Sequence, residues 1–261
     1  MKLKPYVQIS GQGPNLALLH GWGMHGGIWE TILPQLENYF TIYNIDLPGF
    51  GRSTVHNGDY NLDYVVESID EILPDSCYLM GWSLGGLVAT QLANQSGKKI
   101  NKLVTVASSP CFVATDEMPH GMSREVLNTF IEHLNEDFKG TLINFLSIQT
   151  MGSPTQKQDL QELKQTVFLH GTPSERALTG GLKILQSVNL LDTLSQLPMP
   201  VLRIYGKLDT LVPIKSVDKI SESAVNSQSI IFNKSGHAPF LSESDEFIKQ
   251  LVSFLLSESE Q

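Results

Sequence analysis

The segment Gly81-Trp82-Ser83-Leu84-Gly85-Gly86 decides the fold. It joins an apolar run, Cys77 to Met80, to a helix-like run, Leu87 to Ala93, and so predicts a strand that turns directly into a helix. Ser83 would then stand at the N-terminus of that helix, where unpaired backbone N–H groups and the helix dipole favour a negative oxygen. Since such an oxygen forms during acyl transfer, Ser83 is a candidate nucleophile. The alternative is an ordinary serine in a glycine-rich turn.

Small residues surround this serine at the spacing that a sharp turn requires. Gly81 and Gly85 lie two residues before and after Ser83, where larger side chains would clash with the strained backbone. Gly85, Ala89 and Ala93 recur every four residues along the chain. This spacing predicts a helix face that packs closely against a sheet.

Two further segments supply an acid and a base. The run Leu202 to Tyr205 ends in a glycine turn that carries Asp209, and the run Ile230 to Phe232 ends in a loop that carries His237. Both side chains are thus predicted just beyond the C-terminal ends of strands, at the same sheet edge as Ser83. The chain order serine, aspartate, histidine is that of hydrolases with a nucleophile on a strand-to-helix turn.

Proton transfer gives each of these side chains a role. His237 would accept the Ser83 proton during attack and return it to the leaving alcohol, while Asp209 would hold the imidazole in the correct tautomer. Taken singly, the aspartate is equally typical of a turn or helix cap, and the histidine of a loop. Asp192 is the nearest rival acid, but it follows no comparable strand. We therefore predict a catalytic triad of Ser83, Asp209 and His237.

Donors for the oxyanion are predicted near the N-terminus. An apolar run, Leu16 to Leu19, leads directly into His20-Gly21-Trp22-Gly23, which resembles the His-Gly-x-Gly loop of the α/β-hydrolase fold. The resemblance implies that the backbone N–H groups of Trp22 and Leu84 form the oxyanion hole. The indole of Trp22 is also compatible with a core aromatic beside a tight turn, and both interpretations can hold together.

The order of strand-like and helix-like runs predicts the architecture. They alternate as far as Leu103 to Ala107, which is typical of a mainly parallel sheet with helices on both faces. Helical periodicity then replaces the strand signals until the core resumes at Val201 to Tyr205. We predict an α/β-hydrolase fold whose core, residues 1–109 and 191–261, carries an inserted helical lid at residues 110–190. Such a lid would build the substrate pocket and exclude water from it.

Composition excludes several classes of function. Among 261 residues, 41% are hydrophobic, and the net charge of −9 argues against a nucleic-acid partner. No apolar run is long enough to span a membrane and no signal-type stretch is present, so we expect a cytoplasmic protein without a membrane partner. The histidines are scattered and no complete phosphate-binding motif occurs, so we predict neither a metal nor a cofactor. We also expect a monomer.

Nearly the whole chain resembles the pimeloyl-acyl-carrier-protein methyl ester carboxylesterases of biotin synthesis. The segments that carry the resemblance are Leu19–Gly23, Gly81–Ala89, Val104–Phe112 and Phe145–Gly152. The resemblance implies that a methyl ester at the end of a pimeloyl chain acylates Ser83, releases methanol and is then hydrolysed to a carboxylate. The substrate contacts that it implies are Trp22, Ser83, Leu84, Phe145, Leu146, Ser147, Ile148, Gln149 and His237.

The lid departs from this family in one respect. Members that use a carrier protein tend to have an arginine-rich lid, whereas residues 139–166 contain no arginine. Lys157 and Lys164 lie seven residues apart on one predicted helix face. They indicate either a reduced basic patch for an acidic acyl-carrier protein or simply a solvated face. We expect carrier recognition to be retained but weaker or more sensitive to salt.

Two other functions stay open. The same triad would hydrolyse many small esters, so a general short-chain carboxylesterase is the main alternative. A non-catalytic, ligand-binding protein of the same fold is disfavoured, because the serine, acid, base and oxyanion loop are all present.

Overall fold

The computed structural model describes residues 4–151 and 154–257. Within these residues one sheet consists of β1 (Val7–Gly11), β2 (Asn15–Leu19), β3 (Thr41–Ile45), β4 (Ser76–Trp82), β5 (Lys99–Val106), β6 (Val201–Gly206) and β7 (Ser227–Phe232). The strand order is β1-β3-β2-β4-β5-β6-β7, and every neighbouring pair is parallel except β1 with β3. The predicted mainly parallel sheet is therefore confirmed.

Helices connect these strands. Those outside the predicted lid are α1 (Leu33–Leu36), α2 (Leu62–Asp70), α3 (Leu84–Gln95), α8 (Leu191–Ser195), α9 (Ile214–Ser223), α10 (Pro239–Ser242) and α11 (Ser244–Leu256), together with a 3₁₀ helix at Gly26–Trp29. β4 leads through Ser83 straight into α3, which is the strand, turn and helix that the glycine-flanked serine predicts.

The long segment between β5 and β6 is helical. Its helices are α4 (Arg124–Glu136), α5 (Phe138–Gln149), α6 (Gln156–Val167) and α7 (Glu175–Ser187). The ends of the segment meet, because Cys111 forms an isolated antiparallel bridge with Asn189 and the Leu190 N–H donates to the Pro110 carbonyl at 2.8 Å. The chain thus leaves and re-enters the core at one place, as an inserted lid requires.

The boundaries of the lid and the core stay a prediction. Parts of the predicted ranges, namely residues 1–3, 152–153 and 258–261, lie outside the described residues.

Close packing of α3 on the sheet explains the glycine at its start. A Cβ atom added to Gly85 would lie 2.4 Å from the Leu19 carbonyl oxygen, far inside van der Waals contact. Ala89 and Ala93 are buried on the same helix, and Leu16 to Leu19 are fully buried in β2. The predicted small-residue face is therefore buried, and its first residue, Gly85, lies against β2 of the sheet.

Parallel strands place the predicted site at one edge. Because β2, β4, β5, β6 and β7 run in the same direction, their carboxyl ends meet there. The loops that follow these strands carry Trp22, Ser83, Asp209 and His237.

Candidate active site

The predicted nucleophile lies on a strained turn. Ser83 has φ 54° and ψ −119°, outside the regions that side chains other than glycine usually adopt. Three hydrogen bonds hold the turn: the Ser83 N–H donates to the Val106 carbonyl at 2.9 Å, and the Ser83 carbonyl accepts from the Gly86 N–H at 2.9 Å and the Ser108 hydroxyl at 2.8 Å. Bonds to the neighbouring strand and loop thus fix the backbone that presents the hydroxyl.

The structure brings the three predicted triad residues into one hydrogen-bonded chain. The His237 Nε2 atom lies 2.9 Å from Ser83 Oγ, and His237 Nδ1 lies 2.8 Å from Asp209 Oδ2. All three residues are buried. A neutral imidazole with its proton on Nδ1 would donate to the carboxylate and accept from the hydroxyl, which is the protonation state that activates a serine. The rival acid Asp192 lies exposed in α8.

Backbone contacts hold the imidazole loop from two sides. The Trp82 indole N–H donates to the His237 carbonyl at 2.8 Å, and the His237 N–H donates to the Gln149 carbonyl, at the end of the lid helix α5, at 3.0 Å. Glu243 accepts from the Lys234 N–H and from the Ser235 hydroxyl just before the histidine. Core and lid both contribute to the position of the predicted base.

The predicted oxyanion donors belong to the loop after β2 and to the first residue of α3. Leu84 is the first residue of α3, so its N–H precedes the helix's own hydrogen bonds. Trp22 follows β2, the neighbour of β4, and its indole is buried. That indole donates to the Leu178 carbonyl of α7 at 2.9 Å and meets the Phe145 ring edge-on, with ring centroids 4.8 Å apart. Trp22 is thus a buried aromatic that joins the core to the lid.

Only part of the predicted substrate segment in α5 is brought to these residues. Phe145 contacts Trp22, and the Gln149 backbone contacts His237. Gln149 is buried, and its side-chain Oε1 has no hydrogen-bond partner among the described residues. Leu146 is buried and Ile148 is half-buried, whereas the Ser147 hydroxyl donates within its own helix, to the Ile143 carbonyl. Gly152, which ends the longer segment of family resemblance, Phe145–Gly152, lies outside the described residues.

A second histidine supports the predicted oxyanion loop, His20 to Gly23. His20 is fully buried; its Nε2 accepts from the Leu47 N–H at 2.9 Å, and its Nδ1–H donates to the Gly21 carbonyl at 2.8 Å. Burial lowers the pKa of His20 to about 4 from an ordinary value of 6.5, so the ring is neutral at physiological pH. The neutral ring joins the loop after β2 to the loop after β3.

The second of these loops is held by an ion pair between the buried Asp46 and the half-buried Arg52. Asp46 accepts from the Arg52 guanidinium at 2.8 Å and from the backbone N–H groups of Gly26 and Arg52. Burial, the largest single influence, would raise the pKa of Asp46, but the Arg52 guanidinium, the charge interaction with His20 and the backbone N–H groups of Arg52 and Gly26 together hold that pKa below its usual value.

Titration of His20 is expected to make folding sensitive to acid. The unfolded chain takes up this proton near pH 6.5 and the folded chain only near pH 4, so the stability is complete above pH 6.5 and falls as the pH drops towards 4. The loss is expected to be about 3 kcal/mol. Urea unfolding at pH 7 and pH 4 would measure it, with His20→Gln as the non-titrating reference. Equal acid losses in both proteins would contradict the prediction.

Comparisons with known proteins agree with this geometry. Residues 14–244 match the family model for the alpha/beta hydrolase fold. The pimeloyl-[acyl-carrier protein] methyl ester esterase of Aeromonas hydrophila is 44% identical over 250 residues, covering 95% of this chain and 98% of the relative. The enzyme of the same name from Vibrio parahaemolyticus is 44% identical over 255 residues, covering 97% of this chain and 99% of the relative. The chain belongs to this esterase family.

Solved structures show the same fold. An esterase from Exiguobacterium antarcticum superimposes with a TM-score of 0.86 at 25% identity, covering 98% of this chain and 96% of the other. A hydrolase from Oleispira antarctica gives a TM-score of 0.87 at 21% identity, with the same coverage. These structures confirm the predicted fold, and the family model with the relatives at 44% identity confirms the predicted family and enzyme class, a carboxylesterase.

The lid of this family member carries its two predicted carrier lysines on α6. Lys157 and Lys164 are both exposed, and with Leu160 they border an open hollow of about 360 Å³. Leu163 and Val167 are buried on the inner side of the helix. The lysines therefore share an outward face, which is compatible both with carrier binding and with a solvated surface.

Neither a membrane span nor a metal centre is found in the parts of the chain that the structure describes. Across residues 4–151 and 154–257, no helix combines the length and apolar character needed to cross a membrane. The same residues contain no cluster of three or more His, Cys, Asp or Glu side chains placed to bind a metal ion.

Several residues around the site escaped the sequence reasoning. Ser108 and Trp82 each use a side chain to hold the backbone of a predicted triad residue, and His20 donates to the Gly21 carbonyl of the predicted oxyanion loop. Trp82 lies in the segment Gly81–Gly86 and His20 in the segment His20–Gly23, so the sequence places both near predicted site residues. It does not show the hydrogen bonds that their side chains make. Ser108 follows β5 at the same sheet edge and lies inside Val104–Phe112, one of the segments that carry the family resemblance, but neither signal shows that its hydroxyl bonds to Ser83.

Proposed function

We propose that this chain hydrolyses the methyl ester of a pimeloyl group carried by acyl-carrier protein, releasing methanol and leaving a free carboxylate, as a step of biotin synthesis. The observation that carries the proposal is the hydrogen-bonded chain Ser83, His237, Asp209 at the C-terminal sheet edge of a member of this esterase family. The relatives at 44% identity bear the name of this activity and match almost their full length.

Acylation follows from the positions of the three side chains. The Ser83 oxygen attacks the ester carbonyl while His237 Nε2 takes the hydroxyl proton, and Asp209 stabilises the resulting imidazolium. The backbone N–H groups of Trp22 and Leu84 donate to the oxyanion of the tetrahedral intermediate. When the intermediate collapses, the imidazolium returns its proton to the methoxy oxygen and methanol leaves.

Deacylation uses the same groups. His237 takes a proton from a water molecule as the water oxygen attacks the acyl-enzyme carbonyl. The Ser83 oxygen then leaves with that proton, which restores the starting enzyme. The product carboxylic acid loses its remaining proton to solvent and becomes the free carboxylate. Burial of the site supports this sequence of steps, since a dry site strengthens each hydrogen bond to the developing charge.

The lid supports an aliphatic acyl chain. Trp22, Phe145 and Leu146 are buried apolar residues next to the proposed oxyanion site, and we infer that they contact the substrate together with Ser147, Ile148 and Gln149. A cytoplasmic location and a monomeric state are part of the same proposal.

Methanol release from a pimeloyl-carrier methyl ester tests the proposal directly. Wild-type protein is expected to turn this substrate over with a kcat/KM well above that on short aryl esters. Activity on aryl esters without turnover of the carrier substrate would instead assign the chain to the general short-chain carboxylesterases. No reaction with any ester, and no labelling by a fluorophosphonate, would leave a ligand-binding protein of the same fold.

Carrier recognition through α6 predicts a charge effect. Reversing both lysines, Lys157→Glu with Lys164→Glu, is expected to raise KM for the carrier-bound ester about five- to tenfold, because an acidic carrier loses two attractive contacts. Hydrolysis of free dimethyl pimelate should not change. The wild-type KM for the carrier substrate should also rise with salt.

A lysine elsewhere on the lid provides the control for this prediction. Lys183 is exposed on α7, so Lys183→Glu makes the same charge change at a different place. An equal rise in KM for this variant would point to net charge alone, and rates on both substrates that are independent of salt would rule out the α6 contact.

A further inference from the structure

The lid helix α7 lies against the side chains of both proposed oxyanion residues. Its middle contains two consecutive buried glycines, Gly180 and Gly181, although glycine is the poorest helix former after proline. A Cβ atom added to Gly181 would lie 2.7 Å from Cδ1 of Trp22 and 3.2 Å from Cδ2 of Leu84. A residue larger than glycine would therefore push on the two residues whose N–H groups are proposed to bind the oxyanion.

A hydrogen bond ties the same helix to the same tryptophan. The Trp22 indole N–H donates to the Leu178 carbonyl at 2.9 Å, less than one helical turn before Gly181. Phe145 of α5 covers the indole from another direction, at a ring separation of 4.8 Å. The indole is thus fixed by a polar contact and by close packing, and both are made by the lid.

We propose that α7 is a positioning element for the oxyanion site, with Gly181 as its positioning residue. This rests on the proposed function, because it takes the Trp22 and Leu84 N–H groups as the oxyanion donors. The indole and the backbone N–H of Trp22 belong to one residue, so a displaced ring moves the donor. Oxyanion donors act at about 2.7–3.1 Å from the developing charge, and a misplacement of about 1 Å can cost about 100-fold in rate.

The neighbouring glycine makes contact elsewhere and so separates positioning from packing. A Cβ atom on Gly180 would lie 2.5 Å from Cβ of Tyr60, which is buried and whose hydroxyl donates to the Pro48 carbonyl. Gly180→Ala and Gly181→Ala thus make the same chemical change in the same helix. The first strains a contact with a core side chain, and the second strains the contact with Trp22 and Leu84.

The experiment compares these two variants on a chromogenic aryl ester, which needs the oxyanion donors but no carrier protein. Gly181→Ala is expected to lower kcat about 10- to 100-fold with KM within about twofold of wild type. An aliphatic boronic acid, whose adduct with Ser83 places an oxygen at the oxyanion site, should bind more weakly by the same factor. Gly180→Ala should retain kcat within about threefold, even where urea unfolding shows that it is equally destabilised.

A second variant reaches the same contact without adding an atom to α7. Trp22→Phe keeps the backbone N–H but loses the bond to the Leu178 carbonyl, and it is expected to lower kcat and boronate affinity together by about tenfold. It keeps the proposal testable if Gly181→Ala does not fold.

Specific results would overturn the positioning role. They are an equal kcat loss in both glycine variants, a loss confined to KM, or wild-type kcat and boronate affinity in Trp22→Phe. These results concern the helix alone as long as the wild-type protein hydrolyses esters. A wild-type protein that hydrolyses no ester would overturn the proposed function instead.

Discussion

Replacing Ser83 with alanine is expected to lower kcat by about 10⁵- to 10⁶-fold, with little change in KM. The hydroxyl is the only group removed, and it donates to His237 Nε2 at 2.9 Å. Alanine has the same Cβ atom as serine, so the cost of φ 54° at this position is shared by both proteins and the turn should survive. Methanol release from the ester measures kcat, and labelling by a fluorophosphonate should disappear at the same time.

A buried serine away from the site provides the control. Ser216 is buried in α9, where its hydroxyl donates to the His120 carbonyl at 2.9 Å. Ser216→Ala is expected to lower the free energy of unfolding by about 1 kcal/mol and to leave kcat unchanged. If Ser83→Ala keeps more than about one percent of the wild-type kcat, another group is the nucleophile.

The sequence predicted those parts of the site that depend on neighbouring residues. An apolar run, a flanking glycine and a small-residue helix face occur between Cys77 and Ala93, so the turn at Ser83 could be inferred locally. Asp209 and His237 were found for a similar reason, since each follows an apolar run. In a parallel sheet the ends of such runs meet at one edge, which brought three distant residues together without a contact map.

Contacts that use backbone acceptors could not be predicted in this way. Trp82 donates to the carbonyl of His237 across 155 residues, and Trp22 donates to that of Leu178 across 156 residues. Every residue has a carbonyl, so its acceptor role carries no sequence signature.

The antiparallel pairing of β1 with β3 was equally invisible in the sequence, because strand order is set by contacts between distant segments. For α7 a signal did exist, since paired glycines inside a helical pattern usually have a packing reason.

The acid of the proposed triad has two oxygens with different hydrogen-bond partners. Asp209 Oδ2 accepts from His237 Nδ1, whereas Oδ1 accepts from the backbone N–H groups of Leu211 at 2.8 Å and Val212 at 3.0 Å. An asparagine at this position would keep its carbonyl oxygen towards the two backbone donors, because an NH₂ group there would face N–H groups. Its NH₂ group would then face His237 Nδ1, which would have to become an acceptor.

Asp209→Asn is therefore expected to lower kcat by about 10⁴-fold while the fold is retained. With Nδ1 accepting from the amide, the imidazole proton moves to Nε2, and a protonated Nε2 cannot take the proton of Ser83. Asp192→Asn is the matched control, since Asp192 lies exposed in α8 and its kcat should stay within about twofold of wild type. Parallel kcat measurements and urea unfolding on the two variants check the prediction. A similar loss of activity in both, or a wild-type kcat for Asp209→Asn, would show that the imidazole tautomer is not set by Asp209.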